Sequence, residues 1–321
     1  MRHPPKNFDV SVVGELNLDI ILSGLPDSLE LDREHLASGL SVTLGSSSAI
    51  FAHNLALLGN KVGFSSAIGN DAFGEMCLQR LSESGVDLCS VRRFPGKQTG
   101  LTIILPRGTQ RYILTYPGTI AELRFEDLDL DYICSARHFH LSSYFLQRGL
   151  RPKVADLFRH AKQAGLTTSL DTNDDPSEEW SDDLASVLKY VDVLLPNEHE
   201  ACKISRARGV QGAASFLAER VRLVVIKRGA HGAMAQSGSE VFSSPALSGA
   251  AIDAVGAGDS FDAGFIHQYI RGEKIEECLK FGNITGALSV TRAGGTEAFR
   301  DNTHRESFLG KNWPRFHDNQ Q

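Results

Sequence analysis

Asp253-Ala254-Val255-Gly256-Ala257-Gly258-Asp259-Ser260-Phe261 leads three small residues into an apolar run, with Phe261, Phe265, Ile266, Tyr269 and Ile270 at helical spacing. Small residues let a backbone approach a ligand closely, and the unpaired N–H groups at a helix start are anion donors. Asp259 has two readings. As a first-turn acid it is favoured by the helix dipole and reads as a capping residue. Beside an anion-binding turn it is also placed to accept a hydroxyl proton as that oxygen attacks a phosphoryl group. The phosphate loop G-x-x-x-x-G-K-[ST] is absent, so phosphates must be held another way. No G-x-G-x-x-G follows the first strand, which weakens a dinucleotide-binding reading.

Upstream of this turn, Phe8 to Val13 reads as a buried strand ending at Gly14, with Asn17 and Asp19 where the strand opens into a loop. A helix is expected from Ser47 to Leu58, closed by Gly59, then a strand from Lys61 to Ile68 and a helix from Ala72 to Ser84. Leu101 to Leu105 and Arg111 to Tyr116 flank a polar turn, Pro106 to Gln110, and read as a β-hairpin. Apolar runs at His138 to Leu141, Thr167 to Leu170, Val191 to Leu195 and Leu223 to Ile226 alternate with stretches of helical length. That alternation implies an α/β fold with a central, mostly parallel sheet flanked by helices. No linker or repeat divides the chain, and the polar stretch from Arg300 to Gln321 is expected to pack weakly.

The 321 residues are 41% hydrophobic and 22% charged, ordinary for a folded globular protein. A net charge of −6 gives no excess positive charge to favour nucleic acid or an anionic membrane. The five cysteines are scattered without a C-x-x-C pair, which points away from zinc and disulfides and toward a reducing, cytoplasmic setting. Met1 to Asp9 is polar and does not read as a signal peptide, and no apolar run is long enough to span a bilayer.

Asp253 to Asp259 resembles the second signature of the ribokinase/PfkB carbohydrate kinase family, D-T-x-G-A-G-D. Further segments resemble the family in the same order. Gly45-Ser46-Ser47-Ser48-Ala49 through Gly59 is similar to its first signature, and Ile68-Gly69-Asn70-Asp71-Ala72-Phe73-Gly74 to the turn that follows. Asp171-Thr172-Asn173 with Trp180, Pro196-Asn197-Glu198-His199-Glu200 (the N-x-x-E motif), Lys227-Arg228-Gly229-Ala230-His231-Gly232 and Thr291-Arg292-Ala293-Gly294-Gly295 complete the set. The likeness runs from about residue 8 to residue 296.

The resemblance implies a ribokinase-like fold in one domain over 1–321, with β-rich lid segments inserted at about 16–44 and 97–118. It implies ATP, Mg²⁺ and an alcohol acceptor, with Asp259 as the base and the amides of Gly256, Ala257 and Gly258 as an anion hole. Asn197 and Glu200 would organise Mg²⁺ and phosphates through water. Lys227, Gly229 and Gly232 would form the nucleotide loop, and Asn283 would face the adenine. Read from the residues alone, Asn197 also fits an Asx-turn, Glu200 a helix-start charge and Asn283 a solvated helix position. For the acceptor the resemblance implies Asn17, Asp19, Gly45, Ser46, Ile50, Ser142 and Asp259. Asp253 and Val255 match positions near an activating monovalent cation such as K⁺, and the lid matches one that pairs homodimers.

The chain departs from the pattern at three acceptor positions. Ser46 replaces the second glycine of the first signature. Ile50 stands where ribokinase carries a hydroxyl-binding Asn, and Ser142 where it carries a sugar-contacting Glu. Ala254 replaces the threonine of the second signature, with activity expected to survive. A pocket rebuilt in this way argues against D-ribose. The expected function is phosphorylation of a hydroxymethyl group on a sugar or sugar-like molecule. A nucleoside kinase and a non-catalytic sugar- or nucleotide-binding regulator of the same fold are the alternatives.

Overall fold

A computed structural model describes residues 6–26, 28–107, 110–249 and 251–314. Thirteen strands follow in chain order: β1 (Phe8–Val13), β2 (Asn17–Ser23), β3 (Gly39–Leu44), β4 (Val62–Gly69), β5 (Asp87–Phe94), β6 (Gly100–Arg107), β7 (Gln110–Tyr116), β8 (Ala136–Ser142), β9 (Thr167–Asp171), β10 (Val193–Leu194), β11 (Leu223–Lys227), β12 (Ala233–Ser237) and β13 (Glu240–Ser244). The α-helices are α1 (Ser47–Leu57), α2 (Ala72–Ser82), α3 (Leu130–Cys134), α4 (Val154–Gln163), α5 (Leu184–Leu188), α6 (Glu198–Ser205), α7 (Val210–Ala218), α8 (Ala257–Tyr269), α9 (Ile275–Ser289), α10 (Glu297–Arg300) and α11 (Asn302–Asn312).

Nine strands form the main sheet in the order β13-β12-β11-β10-β9-β8-β1-β4-β5. From β11 to β5 every neighbouring pair is parallel; β12 and β13 add an antiparallel edge. Parallel strands need crossovers, and the helices that supply them bury both faces. Successive residues therefore serve opposite cores. Val224 and Ile226 pack with Phe139, Phe158 and Leu217 on one face, and Val225 with Phe51, Phe64 and Phe265 on the other.

A second sheet, ordered β3-β2-β6-β7, stands apart as the lid, with β2 parallel to β6 and the other pairs antiparallel. Asn17 and Asp19 thus lie on a strand of the lid and not in a loop, because the chain re-pairs as soon as it leaves β1. The hairpin strands run longer than their apolar cores, to Arg107 and from Gln110; Gly108 and Thr109 lie outside the described residues.

The C-terminal segment is not loose: α11 buries Leu309, and Trp313 packs with Phe281 and Phe299. Residues 315–321 lie outside the described residues. No described helix is long and apolar enough to cross a membrane.

Candidate active site

The parallel strands end along one edge of the sheet, and the residues just beyond them converge. Glu15 follows β1, Ser143 follows β8, Asn173 and Asp174 follow β9, Asn197 follows β10, and Lys227 closes β11. All line a cavity of about 490 Å³, roofed by the lid through Asn17, Asp19, Thr102, Ile104, Arg111, Ile113 and Thr115. The carboxyl edge of an open α/β sheet is where such folds bind ligands, and the volume suits a small molecule.

The start of α8 enters the cavity from the other side. Gly256 precedes the helix at φ +72°, and a Cβ there would lie 2.5 Å from the Gly295 Cα. Only glycine fits that backbone without displacing a neighbour. Gly256 and Gly258 line the cavity together with Asp259. Ala257 does not; its N–H closes the turn on the Ala254 carbonyl at 3.4 Å. The Gly258 and Asp259 N–H groups, in the first turn, have no carbonyl one turn back. Gly256→Ala is expected to cost about 1–3 kcal/mol in urea unfolding, and to lower kcat by about tenfold or more by reshaping this turn.

Asp259 is buried and does not cap its helix. Burial and the Asp171 carboxylate push its carboxyl up to about 7, against the pull of Lys227. Such a group is poised to take a proton near neutral pH. Asp19 is pushed to about 7 by burial and then by Asp259 itself. Asn17 Nδ2 donates to Asp19 Oδ1 and to Thr102 Oγ1, both at 3.3 Å, so the two lid residues hold each other at the cavity wall.

Lys227 lies beneath the turn. Its Nζ is 2.7 Å from Asp171 Oδ2 and 2.9 Å from Asp262 Oδ2. Burial alone would lower this ammonium, but Asp171, Asp262 and Glu200 outweigh it and hold the charge in place. Burial, with Asp171 adding to it, raises Asp262 well above the carboxylate range. Lys227, Asp171 and Asp262 therefore form one buried cluster of an ammonium and two carboxyl groups. The ammonium stands against the Gly256–Gly258 turn: a Cβ at Gly258 would be 3.6 Å from Nζ.

Asn197 and Glu200 form a reciprocal capping box at the start of α6. Asn197 Oδ1 accepts from the Glu200 N–H, and Glu200 Oε2 accepts from the Asn197 N–H, each at 2.9 Å. The Asx-turn and helix-start readings are both realised, yet both side chains still line the cavity. Burial and Asp171 raise Glu200 to about 8, against Lys227.

Several expected residues stand elsewhere. Ser142 is buried on the sheet, with its Oγ 2.8 Å from His140 Nε2, and the cavity is lined instead by Ser143. Ser143 lies just past β8 at φ +54°, so the chain has already left the strand where its side chain reaches the cavity. Ser143 Oγ donates to Glu15 Oε1 at 2.7 Å and accepts from Asn173 Nδ2 at 2.9 Å. Asn283 is off the cavity wall; its amide donates to the Ser244 and Pro245 carbonyls at 3.1 Å. Gly232 packs against the exit of β13, where a Cβ would lie 2.1 Å from the Ser244 carbonyl, while Gly229 lines the cavity. Gly45 lies behind Asn17 and Asp19, where a Cβ would come within 2.1 Å of Asp19 Oδ1. Ser46, at φ +71°, holds its strained backbone by donating to the Glu15 carbonyl and accepting from the Ala49 N–H. Ile50 is buried and forms part of the cavity wall. Asp253 accepts from the Val255 and Gly294 N–H groups at 3.0 and 2.9 Å, tying the turn to the Gly294 segment.

Comparison with known proteins agrees with this geometry. The model of the pfkB family carbohydrate kinases matches residues 7–302. The chain belongs to that family. It is therefore a kinase, transferring a phosphoryl group to an alcohol, and the sugar and nucleoside kinases are its relatives. Among PfkB proteins it is 30% identical to an ATP-dependent ribose-1-phosphate kinase of Halopiger xanaduensis, over 89% of this chain and 93% of the relative. It is 31% identical to a cytidine kinase of Thermococcus kodakarensis, over 86% and 93%. An E. coli crystal structure assigned provisionally as ribokinase II, in complex with ATP and Mg²⁺, superposes with a TM-score of 0.82 at 27% identity, covering 94% of this chain and 99% of that one.

Proposed function

We propose that this PfkB kinase transfers the γ-phosphoryl group of ATP to a hydroxymethyl group of a sugar or sugar-like small molecule, with Asp259 as the base. One observation carries the reading. Asp259, Gly256 and Gly258 of the turn, Lys227 and the Asn17–Asp19 pair all line one cavity. Asn17 and Asp19 orient the acceptor so that its hydroxyl faces Asp259. Asp259 accepts the proton as the oxygen attacks. The amides of the turn and the Lys227 ammonium receive charge developing on the transferred group. Gly229 lets the backbone lie close to the nucleotide. The lid strands keep water, a competing acceptor, out of the cavity.

Asn197, Glu200 and Asp174 offer oxygen donors along the cavity wall, which fits a hard cation held largely through water. Bound there, Mg²⁺ would neutralise phosphate charge during transfer. K⁺ is assigned to the loop of Asp253 and Val255, and a rate titration with K⁺ against Na⁺ tests it.

The lid also supports a homodimer. Tyr112, Leu114 and Tyr116, on the outer face of β7, are 59%, 55% and 52% exposed, and β7 is an edge strand. An exposed apolar edge of this kind calls for a partner. Leu114→Lys is expected to shift a dimer to a monomer in analytical ultracentrifugation; a wild-type monomer at all concentrations contradicts the dimer.

The kinase reading is tested by following ADP release from Mg·ATP with a panel of sugars, sugar acids and nucleosides. Acceptor-dependent release that vanishes in Asp259→Asn supports it. ATP binding without release for any acceptor would favour a non-catalytic binder.

A further inference from the structure

Two cations line the cavity among the described residues, Lys227 and Arg111. Lys227 is held between Asp171 and Asp262. Arg111 has no such carboxylate at ion-pair distance among the described residues, although its charge is felt by Asp19. Its place follows from strand register. β6 and β7 pair Thr102 with Thr115, Ile104 with Ile113 and Pro106 with Arg111, and β2 adds Asp19 opposite Thr102. Arg111, Ile113 and Thr115 line the cavity while Tyr112, Leu114 and Tyr116 do not, as alternation requires, although every residue of this edge strand is exposed.

The inner face of the lid therefore carries a graded row. Polar groups (Asp19, Thr102, Thr115) stand at the Asp259 end, an aliphatic step (Ile104, Ile113) follows, and Arg111 closes the far end. Ile50, Ile120, Leu146 and Val255 extend the apolar wall. At about 3.3 Å per residue, the Arg111 row lies roughly 13 Å from the Asp19 row. An extended arginine covers about half of that, leaving a gap close to the length of a five- or six-carbon chain.

Three of the five cavity carboxylates are engaged by other groups or stand away from the Arg111 end. Glu15 takes hydrogen bonds from Ser48 N, Ser48 Oγ and Ser143 Oγ, and Glu200 is engaged by Asn197. Asp19 lies at the opposite end of the row.

We infer that Arg111 is the specificity residue for an anionic acceptor: a five- or six-carbon substrate with its hydroxymethyl group at Asp259 and a carboxylate or phosphate at the lid end. The inference rests on the kinase reading for the Asp259 end. It also accounts for Ile50: hydroxyl contacts are replaced by an aliphatic wall and one terminal charge. Arginine suits this role because its planar fork binds carboxylate and phosphate through two hydrogen bonds.

The test compares matched acceptors: glucose with gluconate, ribose with ribose 1-phosphate, and cytidine as an uncharged nucleoside. kcat/KM is measured for wild type, Arg111→Gln and Arg111→Lys. The anionic member of at least one pair should be preferred by wild type, and which pair responds separates carboxylate from phosphate. Arg111→Gln should reduce that preference by about 10- to 100-fold, the range of a charge-assisted hydrogen bond. Arg111→Lys should restore part of it. Preference for the neutral members or for cytidine, or an equal loss on both members of a pair in Arg111→Gln, overturns the assignment. If wild type turns over none of them, the kinase reading fails separately. Calorimetric binding of gluconate and ribose 1-phosphate then decides the matter: Arg111-dependent binding sustains the anion site, and binding indifferent to Arg111, or none, overturns it.

Discussion

Asp259→Asn is expected to lower kcat by about 10²–10⁴-fold, the range for loss of a general base. The Kd for Mg·ATP should change little, because the base acts on the acceptor and not on the nucleotide. The wild-type pH profile provides a second check. Burial and Asp171 hold the carboxyl near 7, and the base works only when ionised, so kcat/KM should rise with pH through about 7 and then level. Asp19, also near 7 and facing Asp259, titrates in the same range, so the limb belongs to the pair. An Asp259→Asn enzyme with near-normal kcat removes Asp259 from the mechanism.

Lys227→Met is expected to have the largest effect on stability. The ammonium is almost fully buried between two carboxyl groups, each with its side chain 1% exposed. Removing one partner of a buried ion pair strands the other and typically costs about 3–5 kcal/mol. Asp262→Asn should cost much less, because burial and Asp171 raise this carboxyl well above the carboxylate range and so favour its neutral form. Urea unfolding of the two variants provides the comparison. If Asp262→Asn is as damaging as Lys227→Met, the upward shift of Asp262 is contradicted. The folded fraction of Lys227→Met should also lose kcat by about 10²–10³-fold, comparable to loss of one oxyanion donor.

Much of this architecture was legible because its signals are local. The small-residue turn before α8 and the alternation of apolar runs after residue 136 need only short windows of sequence. The lid was harder. Asn17 and Asp19 look like loop residues because their strand is half polar; they become inner-face residues only through pairing with β6. β10 spans only Val193–Leu194, with Leu195, Pro196 and Asn197 adding single backbone contacts beyond it. The β12–β13 hairpin is short, with a polar turn at Gly238, and carried little signal.

Within the site, the segments were legible and the individual contacts less so. Ser142 and Ser143 differ by one position and face different surroundings. Asn283 is taken up by two carbonyls remote in sequence. Asp262 looks like an ordinary helix residue until β9 and β11 bring Asp171 and Lys227 against it. Arg111 opens a hairpin strand in the sequence, and only the register shows that this exposed residue borders the cavity.

The most direct test of the account is phosphorus NMR of wild-type protein incubated with Mg·ATP and the preferred acceptor from the panel. The account predicts loss of the ATP γ-phosphate signal and growth of a phosphomonoester signal split by two protons, the signature of phosphate on a CH₂–O carbon. Product with no CH₂ coupling, or inorganic phosphate alone, would contradict transfer to a hydroxymethyl group.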